Sequence, residues 1–328
     1  MVDYKNIVGH KQTIDFLKNA VATNKVYHAY IFDGEDYSGK SMLAGAFAMS
    51  LQCETGNVEP CGVCHSCKQC LTNNQPDIIW LDHEKPNSIG VDDIRKLNND
   101  ITIKPYSSRY KIYIIKEAEK MTVQAQNALL KTMEEPPEYA VIIMLTNNYE
   151  SFLPTILSRS IRIKLNPVAN DLLIGYLMEK EGIVEYQAKV CAAFSQGNVG
   201  KALKLARSEE FNQIKDEALK LAKNIKNMEK FEVLALLNTI IEYKVSITDF
   251  LDILMVWYRD VLLFKATNDV NGLIFKEEVS DIINQAQKAS YHGIETILEG
   301  IEKAKARIKA NVNFELLVEL LLLTIREN

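Results

Sequence analysis

The chain has 328 residues, a hydrophobic content of 47%, a charged content of 25% and a net charge of −5. Its length favours two or three domains, because single cores rarely grow beyond about 250–300 residues. The acidic balance argues against a broad basic face that grips nucleic acid. We expect a cytoplasmic protein without a membrane segment, since the N-terminus lacks a signal-peptide pattern and the apolar stretches at 253–258 and 320–325 are too short to span a bilayer.

The first predicted element is an amphipathic helix within residues 4–27, which places Ile14, Leu17 and Val21 on one face. Apolar residues at spacings of three and four are typical of a helix that covers a surface. This face either packs into the core or covers the base of a nucleotide bound at the next motif. The residues alone favour neither interpretation.

The strongest motif is Gly34-Glu-Asp-Tyr-Ser-Gly39-Lys40-Ser41, which matches the phosphate-loop pattern G-x-x-x-x-G-K-[ST]. A short apolar strand at 29–33 precedes it, and a helix-forming stretch at 42–51 follows it. Glycines let backbone N–H groups surround a phosphate, and the helix presents the positive end of its dipole. We expect Lys40 to reach the terminal phosphates of ATP or ADP and the Ser41 hydroxyl to bind Mg²⁺.

A cysteine module follows at residues 53–70. Its pattern Cys61-x-x-Cys64-x-x-Cys67, with Cys53 upstream, supplies four thiolates at the spacing of a structural zinc site. A disulfide framework is the weaker alternative in a cytosolic chain. Two neighbours, Cys70 and His65, are alternative ligands. The distant Cys191 lies in a helical segment and is expected to be a small buried apolar residue.

The chain then alternates between strands and helices, which is typical of a parallel sheet with helices on both faces. Strands are predicted at 78–81, 111–115, 140–145 and 161–165, and helices at 91–98 and 123–135. Thr122 is the expected N-cap of the helix at 123–135, and Pro136-Pro137 ends it.

Composition changes at Pro167, because all eight prolines lie at or before it. Beyond it, helical periodicity continues almost without interruption. We therefore predict an α/β phosphate-loop domain at 1–166, a three-helix unit at 167–208 and an all-helical block at 209–328. The predicted helices are 170–181, 184–195, 201–206, 233–243, 247–264, 279–289, 293–310 and 314–326.

Four stretches occur in a characteristic order: residues 28–34 (HAYIFDG), the cysteine module, residues 127–137 (NALLKTMEEPP) and residues 155–160 (TILSRS). This combination resembles the bacterial clamp-loader subunits of the AAA+ class, the delta-prime and gamma/tau subunits of DNA polymerase III. The resemblance implies an AAA+ domain, a small lid domain and a helical collar. It also implies a hetero-pentamer with gamma/tau and delta subunits, which opens a ring-shaped sliding clamp and places it on primed DNA.

The motor motifs depart from those of the ATP-hydrolysing family members. Their Asp-Glu pair after the third strand is Lys116-Glu117 here, so a cation replaces the carboxylate that holds Mg²⁺ and Glu117 lacks its metal partner. Their nucleotide-sensing arginine falls on Gly200, while Lys201 points about 100° away on a helix. Thr146 is at the position that senses the γ-phosphate, with Asn147 beside it. These departures resemble delta-prime, a stator, and imply weak or absent Mg²⁺ binding and no strong ATPase activity of the isolated chain.

The family's Ser-Arg-Cys triplet corresponds to Ser158-Arg159-Ser160. The resemblance implies that Arg159 acts as an arginine finger on ATP bound by the adjacent subunit. Such an arginine is worth about 10³–10⁵ in rate. A surface arginine in a salt bridge is the structural alternative.

Two other functions stay open at the level of sequence. An active gamma/tau-like ATPase is supported by the intact phosphate loop and opposed by Lys116 and Gly200. A phosphate-loop phosphotransferase with a zinc-stabilised lid leaves the proline-free helical half unexplained.

Overall fold

The computed structural model describes residues 4–81, 88–229, 232, 247–309 and 314–328. These residues form two compact units. The first extends to Tyr176 and also includes Gln196–Lys201, and the second consists of Leu177–Ser195 and Ala202–Asn328. The division into three domains remains a prediction. The helix expected at 233–243 and the last residue of the one expected at 293–310 lie outside the described residues.

A five-stranded parallel sheet forms the centre of the first unit. Its strands are β1 Ala29–Asp33, β2 Ile78–Leu81, β3 Lys111–Ile115, β4 Ala140–Thr146 and β5 Ile161–Lys164. Their order in the sheet is β2-β3-β4-β1-β5, and β1 pairs Tyr30 with Ile143 of β4 on one side and with Ile161 of β5 on the other. This confirms the parallel α/β sheet expected from the alternating pattern.

Helices make up most of the remaining described chain. Thr122 caps its helix as expected, because its side chain accepts a hydrogen bond from the backbone N–H of Ala125 at 3.2 Å. The helices are α1 Lys11–Ala22, α2 Lys40–Gln52, α3 His65–Leu71, α4 Val91–Asp100, α5 Val123–Glu134, α6 Pro154–Leu157, α7 Asn170–Glu179, α8 Glu185–Ser195, α9 Val199–Arg207, α10 Glu209–Asn224, α11 Ile247–Thr267, α12 Val279–Lys288, α13 Tyr291–Lys309 and α14 Phe314–Glu327.

Apolar layers cover both faces of the sheet, because successive strand residues point to opposite sides. On one face Tyr30 packs edge-on against Phe47 of α2, and Leu17 of α1 belongs to the same core. On the other face Ile31 shares a core with Leu129 of α5. Of the two alternatives for α1, packing into the core is therefore observed, whereas a role over a nucleotide base stays a prediction.

The second unit is helical throughout its described part. Trp257 is fully buried, its ring centre lies 6.2 Å from that of Phe275, and its indole N–H donates to the Gln285 side chain at 2.8 Å. Cys191 is buried as expected, and burial raises the pKa of its thiol to about 11. No helix in the described ranges is long and apolar enough to cross a membrane.

Candidate functional site

The phosphate-loop motif joins β1 to α2 at the carboxyl edge of the sheet, where ligands of open α/β folds bind. Gly39 has a φ of 94°, a left-handed conformation that disfavours any side chain. A Cβ on Gly34 would lie 2.9 Å from the Ser38 hydroxyl and 3.0 Å from Cβ of Leu165. Gly39 is thus favoured by its backbone conformation, and Gly34 by the close approach of the neighbouring Ser38 and Leu165 side chains.

The side chain of Lys40 forms hydrogen bonds with the backbone of the phosphate loop itself. Its Nζ donates to the carbonyl oxygens of Gly34 at 2.5 Å and Glu35 at 2.8 Å. Burial lowers the pKa of this ammonium, and the nearby carboxylate of Asp36, 3.8 Å away, acts in the opposite direction. Ser41 follows in the first turn of α2 with an exposed side chain. These residues form a phosphate-loop geometry that could accept a nucleotide.

The end of β4 contacts the phosphate loop, as its predicted sensing role requires. The carbonyl oxygen of the fully buried Thr146 accepts a hydrogen bond from the backbone N–H of Gly34 at 3.1 Å. The Asn147 side chain donates to a carboxylate oxygen of Asp36 at 3.2 Å. The structure therefore brings the predicted residue Thr146 to the loop through its backbone.

The segment after β3 places its charges differently from what the motif comparison suggested. The Lys116 ammonium lies 5.7 Å from the ring centre of Trp80. Glu117 has a left-handed φ of 46°, is exposed and pairs with Lys120 at 2.8 Å. Its assigned role as a water-orienting base stays a prediction, and its carboxylate is already paired in this structure.

Glu119 is a residue of this site that sequence reasoning missed. Its Oε2 is buried without a hydrogen-bond partner among the described residues, and its charge acts on Lys40. It lies outside the family motif that includes Glu117, and no other sequence pattern marks it as a site residue. The left-handed turn at Glu117 redirects the chain, so the carboxylate two residues later lies near the phosphate loop.

Residues 196–201 pack directly on the phosphate loop. The backbone N–H of Gly200 donates to the carbonyl oxygen of Tyr37 at 3.2 Å, and the Asn198 side chain donates to that of Asp36 at 2.7 Å. A Cβ on Gly200 would lie 2.7 Å from the Tyr37 oxygen. No side chain, and least of all an arginine, fits at this position without a shift of the backbone.

Among the described residues, the side chain of Arg159 contacts Glu134 and Thr155 rather than the phosphate loop. It follows the short helix α6, and its side chain is 38% exposed. Its guanidinium pairs with Glu134 at 3.1 Å and donates to the carbonyl oxygen of Thr155 at 3.2 Å. The salt bridge foreseen as the structural alternative is present, and a residual exposed edge is compatible with a contact to another chain.

The four predicted zinc ligands form one cluster. The sulfurs of Cys53, Cys61, Cys64 and Cys67 all lie within 4.8 Å of one another, and those of Cys61 and Cys67 are 3.9 Å apart. Tetrahedral zinc with Zn–S bonds of about 2.3 Å requires sulfurs roughly 3.8 Å apart. Backbone N–H groups of Cys64 and Cys67 donate to the sulfurs three residues earlier at 3.3 Å. The cluster could therefore hold one zinc ion.

The clustered cysteines differ in their electrostatic environment. Hydrogen bonds from the backbone of Cys64 and then Val63 lower the pKa of Cys61 to about 6 and favour its thiolate, whereas burial raises the pKa of Cys67. Cys70 is fully buried outside the four-sulfur cluster, and burial raises the pKa of its thiol to about 11. His65 also lies outside the cluster, as the first residue of α3. The two alternative ligands are therefore not among the four clustered groups.

Two family models match the chain. The one described as "DNA polymerase III, delta subunit" matches residues 9–169, and the one described as "DNA polymerase III, delta subunit, C terminal" matches residues 210–327. The chain belongs to the DNA polymerase III clamp-loader family, the family of delta-prime and tau/gamma subunits.

Similar relatives represent both branches of the family. The chain is 28% identical to DNA polymerase III subunit delta-prime of Bacillus subtilis, with 96% of each chain covered. It is 27% identical to subunit tau of the same organism over 96% of this chain, and it spans 60% of the length of tau. Sequence similarity alone therefore leaves the choice between the two branches open.

Solved structures with similar folds include a DNA polymerase III gamma subunit-related protein of Thermotoga maritima, with 22% identity, a TM-score of 0.42 and coverage of 96% of this chain and 99% of that one. Another is the Bacillus subtilis DNA clamp loader delta protein, with 12% identity, a TM-score of 0.36 and coverage of 96% and 100%.

Proposed function

We propose that this chain is the delta-prime subunit of the clamp loader. It acts as a stator that helps load the sliding clamp on primed DNA, in a cytoplasmic hetero-pentamer with gamma/tau and delta subunits. The observation that carries this proposal is the packing of Gly200 on Tyr37, which occupies the place of a nucleotide-sensing side chain. Lys116, in place of a metal-binding carboxylate, supports the same conclusion.

In this proposal Arg159 serves a neighbour's site. A partly exposed guanidinium in the clamp-loader triplet can stabilise negative charge on the phosphate that is transferred in the adjacent subunit. Its pair with Glu134 is half-exposed, and such pairs are worth only about 0–1 kcal/mol. The carboxylate is thus readily exchanged for the multiply charged phosphates of ATP.

The cysteine module and the phosphate loop each suggest a cofactor. Zinc would be bound by Cys53, Cys61, Cys64 and Cys67 in a structural role, because four thiolates leave no open position for water. ATP or ADP would bind at Gly34, Gly39, Lys40 and Ser41 without efficient turnover, and the lysine at 116 would disfavour Mg²⁺.

The alternative is an active gamma/tau-like ATPase, which the intact loop geometry around Lys40 favours. Steady-state ATP hydrolysis by a reconstituted loader, with clamp and primed DNA, separates the two. We expect Arg159→Ala to reduce the rate of ATP hydrolysis by about 10³-fold or more, because an arginine finger is lost. Lys40→Ala should change the rate less than about twofold, because in this proposal the phosphate loop that contains Lys40 does not hydrolyse ATP itself.

Arg207→Ala is the matched control, since Arg207 is an arginine with a 71% exposed side chain in a comparable ion pair. If Lys40→Ala removes most of the activity while Arg159→Ala does not, this chain is itself a motor and the stator proposal is wrong.

A further inference from the structure

The carboxylate of Asp36 lies between two groups at the place expected for the terminal phosphate of a nucleotide. Asp36 belongs to the phosphate-loop motif, and its Oδ1 is 3.8 Å from the Lys40 ammonium. The Asn147 amide donates to both carboxylate oxygens of Asp36, at 3.2 Å and 3.3 Å. Lys40 and the end of β4, where Asn147 follows Thr146, are the parts of the chain expected to meet the γ-phosphate. The loop therefore directs a negative charge of its own toward them.

Contacts with residues 196–201 fix the backbone of Asp36. The side chain of Asn198, which is 6% exposed, donates to the carbonyl oxygen of Asp36 at 2.7 Å. The next residue, Tyr37, has a left-handed φ of 64°, and its carbonyl oxygen accepts the backbone N–H of Gly200. A residue with a side chain adopts this conformation at a cost, so the surrounding contacts have to maintain it. They hold the peptide group from which the Asp36 carboxylate projects.

The Lys40 ammonium is already surrounded by negative groups. Its Nζ donates to the carbonyl oxygens of Gly34 and Glu35 at 2.5 Å and 2.8 Å. Burial lowers the pKa of this ammonium, and the charges of Asp36 and then Glu119 oppose that shift. Part of the positive charge that would attract a triphosphate is therefore neutralised within the site itself.

We propose that the phosphate loop is a site for a nucleoside diphosphate, in which the Asp36 carboxylate takes the place of a γ-phosphate. This inference rests on the proposed function, in which the loop binds a nucleotide without efficient turnover. A triphosphate would bring additional negative charge next to the Asp36 carboxylate, and like charges a few ångström apart repel each other. A diphosphate lacks this charge, so it can bind without displacing the carboxylate from Lys40 and Asn147.

Isothermal titration calorimetry of the purified 328-residue chain with ADP and with ATP tests this specificity. Both titrations are made without Mg²⁺, so that no metal ion neutralises the phosphates. We expect ADP to bind at least about tenfold more tightly than ATP, because repulsion between charges at this separation has at least this effect on affinity. Equal affinities, or no measurable binding of ADP at millimolar concentration, would overturn the proposal.

Asp36→Asn identifies the responsible group, since it removes the charge and retains the size of the side chain. We expect this variant to bind ATP about tenfold more tightly than the unaltered chain does, and to bind ADP within about threefold of the original affinity. Retained binding of ADP also shows that the loop is still folded. If the preference for ADP over ATP is the same with and without the Asp36 carboxylate, the inference is wrong.

Asp92→Asn is the matched control. Asp92 is an aspartate of α4 with an 82% exposed side chain, it pairs with Arg95 at 3.0 Å, and its replacement changes the net charge by the same amount. This variant should leave both affinities unchanged. A gain in ATP affinity as large as that of Asp36→Asn would show that net charge sets the preference, and it would contradict a specific role of the loop carboxylate.

Failure of the two proposals can be told apart, because they are measured on different samples. If Lys40→Ala removes most of the ATP hydrolysis of the reconstituted loader, the stator function fails, whatever the isolated chain binds. If the loader tolerates Lys40→Ala while Asp36→Asn leaves the preference of the isolated chain for ADP unchanged, only the role of Asp36 is wrong.

Discussion

Gly200 is the residue on which the proposed choice between the two branches of the family mainly rests. Its missing side chain lets residues 196–201 lie against Tyr37 of the phosphate loop. We expect Gly200→Ala to destabilise the protein by about 1–3 kcal/mol, because the new Cβ would meet a backbone oxygen that cannot rotate away. The midpoint of urea unfolding measures this effect.

Gly175 provides the matched control within α7, since a Cβ there would meet nothing within 4 Å. Gly175→Ala should stabilise by about 0.5–1 kcal/mol through the lower entropy of the unfolded chain and the better helix propensity. Equal unfolding midpoints for the two alanine variants would show that the contact of Gly200 with Tyr37 contributes nothing.

For individual residues, the sequence showed where the chain departs from a known motif, but it did not show which residues outside the motif lie close to the site. Lys116 and Gly200 were identified because each stands where a family pattern has another residue type. Glu119 was not assigned a role, because its position depends on the left-handed turn at Glu117. This turn leaves no periodic signal in the sequence.

Among the elements, the cysteine module offers the clearest test. We expect one zinc ion per chain by elemental analysis of the purified protein. Cys64→Ser should remove most of it, because Cys64 belongs to the four-sulfur cluster and its sulfur also accepts a hydrogen bond from the backbone N–H of Cys67 in the first turn of α3.

Cys70→Ala is the control for this experiment, since Cys70 lies outside the cluster. Full zinc content in Cys64→Ser, or its loss in Cys70→Ala, would contradict the assignment of ligands.

The strands of the sheet were easier to predict than α3, the helix of the cysteine module. Each predicted strand exists within about one residue of its expected bounds, because buried parallel strands are short apolar runs between turns. Helix α3 was not foreseen, since His65–Leu71 contains four polar residues and two cysteines that conceal helical periodicity. Its N-terminus is fixed by a cysteine cap, which helix propensities do not describe.

For the molecule as a whole, composition indicated a boundary near Pro167 but not how the chain crosses it. Residues 196–201 return to the first unit after α8 has joined the second. A short return of this kind changes neither composition nor periodicity. It becomes visible only through contacts such as the hydrogen bond from Asn198 to Asp36.

The net charge of −5 leads to a prediction for the isolated chain. We expect its affinity for primed DNA to be no tighter than about 10 μM at physiological salt, because non-specific affinity depends on the number of phosphates that cations neutralise. Fluorescence anisotropy with labelled DNA measures this, and the reconstituted loader is the positive control. Submicromolar, salt-dependent binding by the chain alone would reveal a local basic surface that the overall charge conceals.

The contacts of Lys40 bear on how such motifs persist in evolution. Its ammonium is held by two carbonyl oxygens of the same loop, and the two motif glycines meet backbone or steric requirements. Selection for a correctly folded loop would therefore retain Gly34, Gly39 and Lys40 whether or not the chain hydrolyses ATP. An unbroken phosphate-loop signature is thus consistent with the proposed stator, and the ATPase measurement has to rely on the residues around Lys116 and Gly200 rather than on the motif.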